Sequence, residues 1–275
     1  ITLAVGNDNR TATYTSGDNS TQLVFRYTIQ ATGTSGENDS DGISIGANAL
    51  YDNSSTIRDP AGNDATLTHS AVDNNSSYKV DTILPTLSGV AITDADGGQN
   101  NFLNATDNVS VTGTFSEGVI VDNSSVNPTI TLFVGSDNRT ATYASGDNTT
   151  SLVFRYTIQS GDTDTNGISI GANALDDNSS TIRDAAGNDA TLTHSAVDNN
   201  SSYKVDTTAP SVDNFTMNDT ELKIGDNATV TLVFSEAVIE FSSAADITAD
   251  NGSLSTMTSS DNITWTGTFT PTDNI

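Results

Sequence analysis

The stretch Gly167–Thr207 reads GISIGANALDDNSSTIRDAAGNDATLTHSAVDNNSSYKVDT, and almost the same words stand at Gly42–Thr82. Only Tyr51 for Asp176 and Pro60 for Ala185 differ. Upstream, ITLAVGNDNRTATYTSGDNSTQLVFRYTIQ from Ile1 matches ITLFVGSDNRTATYASGDNTTSLVFRYTIQ from Ile130. The offset is 129 residues at Ile1 and 125 at Gly42, so one loop is four residues longer in the first copy. A repeat of this length is a whole domain rather than one rung of a solenoid. Outward from it the chain divides into three: residues 1–82, a repeat without its front strands; 83–207, a complete repeat; and 208–275, the opening of a related domain. The last two share F-S-E-x-V-I, at Phe115–Ile120 and Phe234–Ile239, and the linkers VDTILP and VDTTAP end alike in proline. Such short, proline-ended joints are semi-rigid. The chain opens inside a strand and reads as a piece of something longer.

Apolar residues alternate with polar ones at Ile1, Leu3 and Val5 and again at Leu23, Phe25, Tyr27 and Ile29. That period of two makes strands with one dry and one wet face. No segment sustains a period of 3.6. In the complete repeat the spacing predicts strands near 86–92, 109–115, 129–134, 140–143, 152–158 and 167–170, with more after Ser180 and at 202–205. Turn clusters such as SGDNTT and DNNSS separate them. Many short strands in about 120 residues predict an all-β chain of tandem immunoglobulin-like antiparallel sandwiches placed end to end. Within the Ile130–Val134 strand, Phe133 has the opposite parity to its apolar neighbours, and Ala4 replaces it in the first copy. Phe133 is therefore expected to face outward or a domain contact.

The chain has 275 residues, 35 of them acidic and 9 basic, for a net charge of −26. Phosphate binding needs clustered Lys and Arg, so nucleic acid is a poor partner, and an anionic membrane surface is disfavoured for the same reason. Of the acids 30 are Asp and only 5 are Glu, which places the charge in turns rather than on helices. There is no cysteine. The Asp excess fits a protein that binds calcium where others use disulfides.

Asp162-x-Asp164-x-Asn166-Gly167, with Glu37-x-Asp39-x-Asp41-Gly42 at the same place in the first copy, puts oxygens at alternate positions before a glycine. A tight turn of this kind can aim several side chains at one hard cation. Asn173 stands where a helix–loop–helix calcium loop needs Glu, so other segments must complete the shell. In a sandwich the candidates at the same pole are Asp94, Asp96, Asp107 and the exit residue Asp206, facing Glu236 of the next domain. At the first joint they are Asp81 facing Glu117. Crowded carboxylates repel unless a cation lies between them. The recurring turn Asp184-x-Ala-Gly-Asn188, which is Asp59-x-Ala-Gly-Asn63 in the first copy, reads equally as a capped turn or a ligand pair. Gly167-Ile168-Ser169-Ile170-Gly171 matches a hydrolase nucleophile elbow, but no helix follows it, so its serine reads as the wet face of a strand. His69 and His194 are expected at the surface. Nothing in the sequence points to an enzyme.

The words FSEGV at Phe115–Val119, TIQSGDTDTNGISI at Thr157–Ile170, DAAGN at Asp184–Asn188 and YKVDTTAP at Tyr203–Pro210 resemble the bacterial immunoglobulin-like tandem repeats of large extracellular adhesins of the RTX/Bap type. The resemblance implies stacked β-sandwiches, secretion to the cell surface, calcium at loops or joints, and a spacer role in adhesion and biofilm. The expected partners are neighbouring repeats of the same chain. Two other readings stand beside it: a module that binds a surface glycan or protein, and a subunit that like chains build into an extracellular filament.

Overall fold

A computed structural model describes residues 1–30, 37–124, 126–223 and 225–272. The four-residue insertion of the first repeat lies outside the described residues. The chain forms two compact units, Ile1–Asp206 and Thr207–Ile275. The first unit holds both copies of the repeat. The first copy supplies β1 (Thr2–Val5), β2 (Asp8–Thr11), β3 (Thr13–Ser16), β4 (Val24–Arg26), β5 (Asn38–Asp39) and β6 (Val80–Asp81). The second supplies β7 (Leu87–Asp96), β8 (Phe102–Leu103), β9 (Asn108–Asp122), β10 (Thr129–Val134), β11 (Asp137–Ser145), β12 (Thr149–Thr157), β13 (Thr163–Asp164), β14 (Ser169–Asp176), β15 (Thr181–Arg183) and β16 (Lys204–Asp206). The second unit has β17 (Val212–Met217), β18 (Ala228–Phe234), the single-turn helix α1 (Ser243–Asp246), β19 (Gly252–Leu254) and β20 (Thr264–Pro271).

The second repeat is built on β9. Its first half pairs antiparallel with β7 on one side and β12 on the other, and its last residues pair with β15. From β12 the sheet continues through β11 and β10 to β14, while β13, β16 and β8 form a smaller sheet. Alternation explains the core: Val109, Val111, Phe115, Val119 and Val121 of β9 are buried together with Ile130, Leu132 and Val134 of β10 and Leu152 and Phe154 of β12. Phe133, of opposite parity, stands outward and lies over Gly171. Ile168 and Ile170 are buried on either side of Ser169 and no helix follows, so the G-x-S-x-G run is a strand.

The first repeat keeps counterparts of β10 to β13 and β16, while residues 44–51 and 56–58, which match β14 and β15, form only isolated bridges. Leu23, Phe25 and Ile29 correspond to Leu152, Phe154 and Ile158, which are essentially inaccessible, yet Leu23 is 38% exposed. The second unit closes a small core of Val230, Leu232 and Met257, packed by Phe241, Phe269 and Trp265. Trp265 is in edge-to-face contact with Phe241 at 4.9 Å, which makes it a packing residue.

One expectation is corrected. His194 is buried, not superficial, and the cause is a backbone need. Its Nε2 accepts from Ala174 N at 2.8 Å and its Nδ1 lies 2.7 Å from Ser195 O, so the ring stitches the 194–195 segment to β14. His69 does the same for Ala49 N and Ser70 O.

The contrast in burial yields a test. Phe154→Ala is expected to cost about 3–5 kcal/mol, as for a fully packed aromatic ring. The equivalent Phe25→Ala is expected to cost less than about 2 kcal/mol, because its site is already open to water. Urea unfolding of the two variants measures both.

Candidate metal centre

The acidic residues of the chain divide into two kinds by what meets them. The first kind is consumed inside the fold. Asp162 accepts from Arg139 Nε at 2.7 Å, Tyr156 Oη at 2.5 Å and Gln159 N at 2.9 Å. Burial alone would raise its pKa. The hydrogen bonds from Tyr156, Gln159 and Arg139 outweigh that and hold the carboxyl below its usual range. Burial first, and then the hydrogen bond to Asp162 and its charge, push Tyr156 up to about 12 against the opposing pull of Arg139. Glu37 occupies this place in the first repeat, with Arg10, Tyr27 and Gln30 N as donors. Its extra methylene keeps the arrangement despite the longer loop.

Asp164 is a backbone clamp. It accepts from Gly135 N at 2.8 Å and from Asn166 N and Gly167 N at 3.1 and 2.7 Å. Asp39 repeats this with Gly6 N and Gly42 N. Asp164 thereby ties the turn to the β10–β11 hairpin loop, and Asp39 ties its own turn to the β1–β2 loop. Gly167 has φ +101°, and a side chain there would strike Asn200 O, so the turn requires glycine. Asn166 is exposed, and Asp41 accepts from Asn74.

Asp94 and Asp96 are exposed on the last turns of β7, paired with Ser110 and Asn108 of β9. Asp107 accepts from Asn104 N at 2.9 Å and lies against Gly97. Asp206 ends β16, opposite Thr163. Glu236 is half-buried in the second unit.

The second kind converges. Among the described residues one group of three acids has its oxygens within 4.8 Å of one another: Asp81, Glu117 and Asp184. Asp81 ends the first repeat on β6. Glu117 sits on β9 of the second repeat, and Asp184 follows β15. The pairing of Arg183 with Ile120 brings the Asp184 turn alongside Glu117. Asp184 is buried and holds its own turn, accepting from Gly187 N, Asn188 N and Asn188 Nδ2 at 2.7, 2.8 and 2.7 Å. Asn188 Nδ2 also donates to Asp81 O at 3.1 Å, which ties the turn to the linker. Thr191 N donates to Pro85 O and Leu87 N to Thr191 O, extending the seam.

Glu117 is held above the usual carboxylate range, first by burial and then by repulsion from Asp81 and Asp184. Strand parity turns it inward. On β9 the odd-numbered residues from Val109 to Val121 point inward, and Glu117 is the one acid among them. Three carboxylates gathered from two repeats, one raised by its neighbours, with backbone carbonyls beside them, are a donor set that suits a hard divalent cation. In the first repeat, Asp59 is engaged by Asn63 N and Nδ2 and is fully exposed.

Residues 206–275 match the family model of a bacterial Ig-like domain. No curated protein and no solved structure matches the chain. The Ig-like match agrees with the four-stranded antiparallel sheet of the second unit. Domains of this family are typically non-enzymatic and often extracellular or surface-exposed. No helix of the described residues is long and apolar enough to cross a membrane.

The Asp162 network gives a pH dependence with a definite sign. A carboxyl whose folded pKa is depressed contributes stability that is complete above the unfolded value, about 3.9, and disappears as pH falls through the folded value. Asp162→Asn is expected to lower stability by about 2–4 kcal/mol at pH 7, because Arg139 loses its charge partner. The variant should also flatten the acid limb of a urea stability–pH profile.

Proposed function

We propose that this chain is a structural spacer segment of a large secreted repeat protein of the bacterial cell surface, of the adhesin type, with calcium stiffening the joint between its repeats. The observation that carries this reading is the Asp81–Glu117–Asp184 group, because its members come from two repeats and meet at the linker. A calcium ion there would supply the positive charge that these three acids lack. Asp81, Glu117 and Asp184 would hold it, and the carbonyls and water would complete a shell of six to eight oxygens. The protein's own part is to fix the angle: the Asp184 turn is anchored to the linker through Asn188, so holding Asp81 against Glu117 leaves the joint little freedom. Near-identity of the two repeats fits a role in length and stiffness. The natural partners are neighbouring repeats of the same polypeptide, outside the cell, and the role is non-catalytic.

Calcium is expected to raise the melting temperature of the first unit by roughly 5–10 °C at a concentration a hundred times its Kd. Glu117→Gln keeps the shape and removes one charge, so it is expected to raise the melting temperature in chelator and to lose more than half of the calcium response. Differential scanning calorimetry of the full chain reads both. An equal calcium response in the variant would take the cation away from this joint.

A further inference from the structure

Two of the differences between the repeats fall in one place. A groove of about 740 Å³ opens on the face of the first repeat that carries Ala4. Its floor includes Ala4, Gly46 and Val72, and its rim includes Tyr51, Asn9 and Asp73. In the second repeat Phe133 replaces Ala4, and its ring lies over Gly171: a methyl group placed on that glycine would meet the ring at 3.2 Å. Over the corresponding Gly46 there is nothing within 4 Å. Val72 is accordingly 52% exposed, while its counterpart Val197 packs against the core. The second difference, Tyr51 for Asp176, adds an aromatic ring at the rim, 63% exposed. The first repeat thus lacks the phenylalanine that fills this surface in its sibling and gains a tyrosine beside the space.

The side chain of Asn74 donates to Asp41, and three other polar side chains around the groove are uncommitted. No hydrogen bond among the described residues engages the side chain of Asn9, Tyr51 or Asp73. The second repeat shows that a six-membered ring fits on this glycine. A benzene ring would cover the floor but leave the amide, hydroxyl and carboxylate of the rim to water. A ring with one apolar face and hydroxyls at its edge would satisfy both surfaces. Such pairing of an apolar floor with a few placed polar groups is how small-molecule sites gain orientation. The chain's charge of −26 and Asp73 at the rim exclude an anionic ring on electrostatic grounds.

We propose that this groove of the first repeat binds one uncharged pyranose unit of a polysaccharide, with Tyr51 stacked on its apolar face and Asn9 and Asp73 receiving its hydroxyls. The groove shares no residue with the Asp81–Glu117–Asp184 group, so this binding and the calcium joint stand or fall separately.

The repeats themselves provide the variants. Ala4→Phe and Tyr51→Asp each install the residue that the second repeat already carries, so both should fold. The full chain, labelled with nitrogen-15, is titrated with methyl β-glucoside, methyl β-galactoside and methyl α-mannoside. At least one is expected to shift the amides of Tyr51, Val72 and Asp73 along a one-site curve. Ala4→Phe and Tyr51→Asp are each expected to weaken it at least about tenfold with an unchanged melting temperature. The converse double variant, Phe133→Ala with Asp176→Tyr, is expected to raise the number of sites from one to two. Absence of shifts with all three glycosides, or binding indifferent to both substitutions, overturns the proposal. So does saturation of the groove by N-acetylphenylalanine amide alone, which would make the occupant an aromatic side chain.

Discussion

A carboxylate withdrawn from water must be met by donors or by a cation, and this requirement runs through the molecule. With far more acids than bases, the chain cannot pair them all with Arg and Lys. It meets the most deeply placed ones with backbone N–H groups and one arginine per repeat. Asp164 and Asp39 each clamp two glycine amides from separate loops, and Asp162 and Glu37 each hold an arginine, a tyrosine hydroxyl and an amide. These contacts join the turn before β14 to the β10–β11 hairpin, so the loops at that end of the sheet are fixed by acid rather than by apolar packing. At the linker Asp184 is met by the amides of its own turn, while Glu117, partly buried and repelled by Asp81 and Asp184, is held above the usual carboxylate range.

The strands were legible because alternation is a local property. The bounds of β10 follow directly from Ile130, Leu132 and Val134, and the outward Phe133 follows from the same parity. The acidic turns were harder to read, because a calcium loop and a self-capped turn are written with the same residues. What distinguishes Asp162 from a ligand is Arg139, 23 residues away, and what distinguishes Asp164 is Gly135, 29 residues away. Sequence spacing inside the loop carries no trace of either. His194 shows the same limit: an imidazole reads as a surface group, but its ring turns back to an amide 20 residues earlier. At the linker the residue types were visible and the repeat logic put Asp81 opposite Glu117. Asp184 joins them only because β15 pairs with β9, a long-range event.

Near-identity makes the differences between the copies informative. Glu37 for Asp162 lengthens a side chain and keeps the same three donor types, so it preserves structure. Pro60 for Ala185 falls in an exposed turn position. Ala4 for Phe133 and Tyr51 for Asp176 reshape what one face offers to solvent, and the second also gives up the hydrogen bond that Asp176 accepts from Asn178 N. Substitutions that leave a scaffold intact and reshape a surface are the kind by which one copy of a repeat acquires a task the other lacks.

The exit strand β16 runs parallel to β8, with Lys204 opposite Phe102 and Val205 opposite Leu103. Lys204 N also donates to Asn101 O at 3.0 Å, and the Lys204 ammonium lies 5.4 Å from the centre of the Phe102 ring. A force drawn along the chain beyond Asp206 acts along β16, across these hydrogen bonds rather than along them. Bonds loaded side by side must yield together, whereas an antiparallel hairpin pulled at its open end yields one bond at a time. The short parallel pairing of β16 with β8 is therefore loaded in shear by a pull on the exit strand.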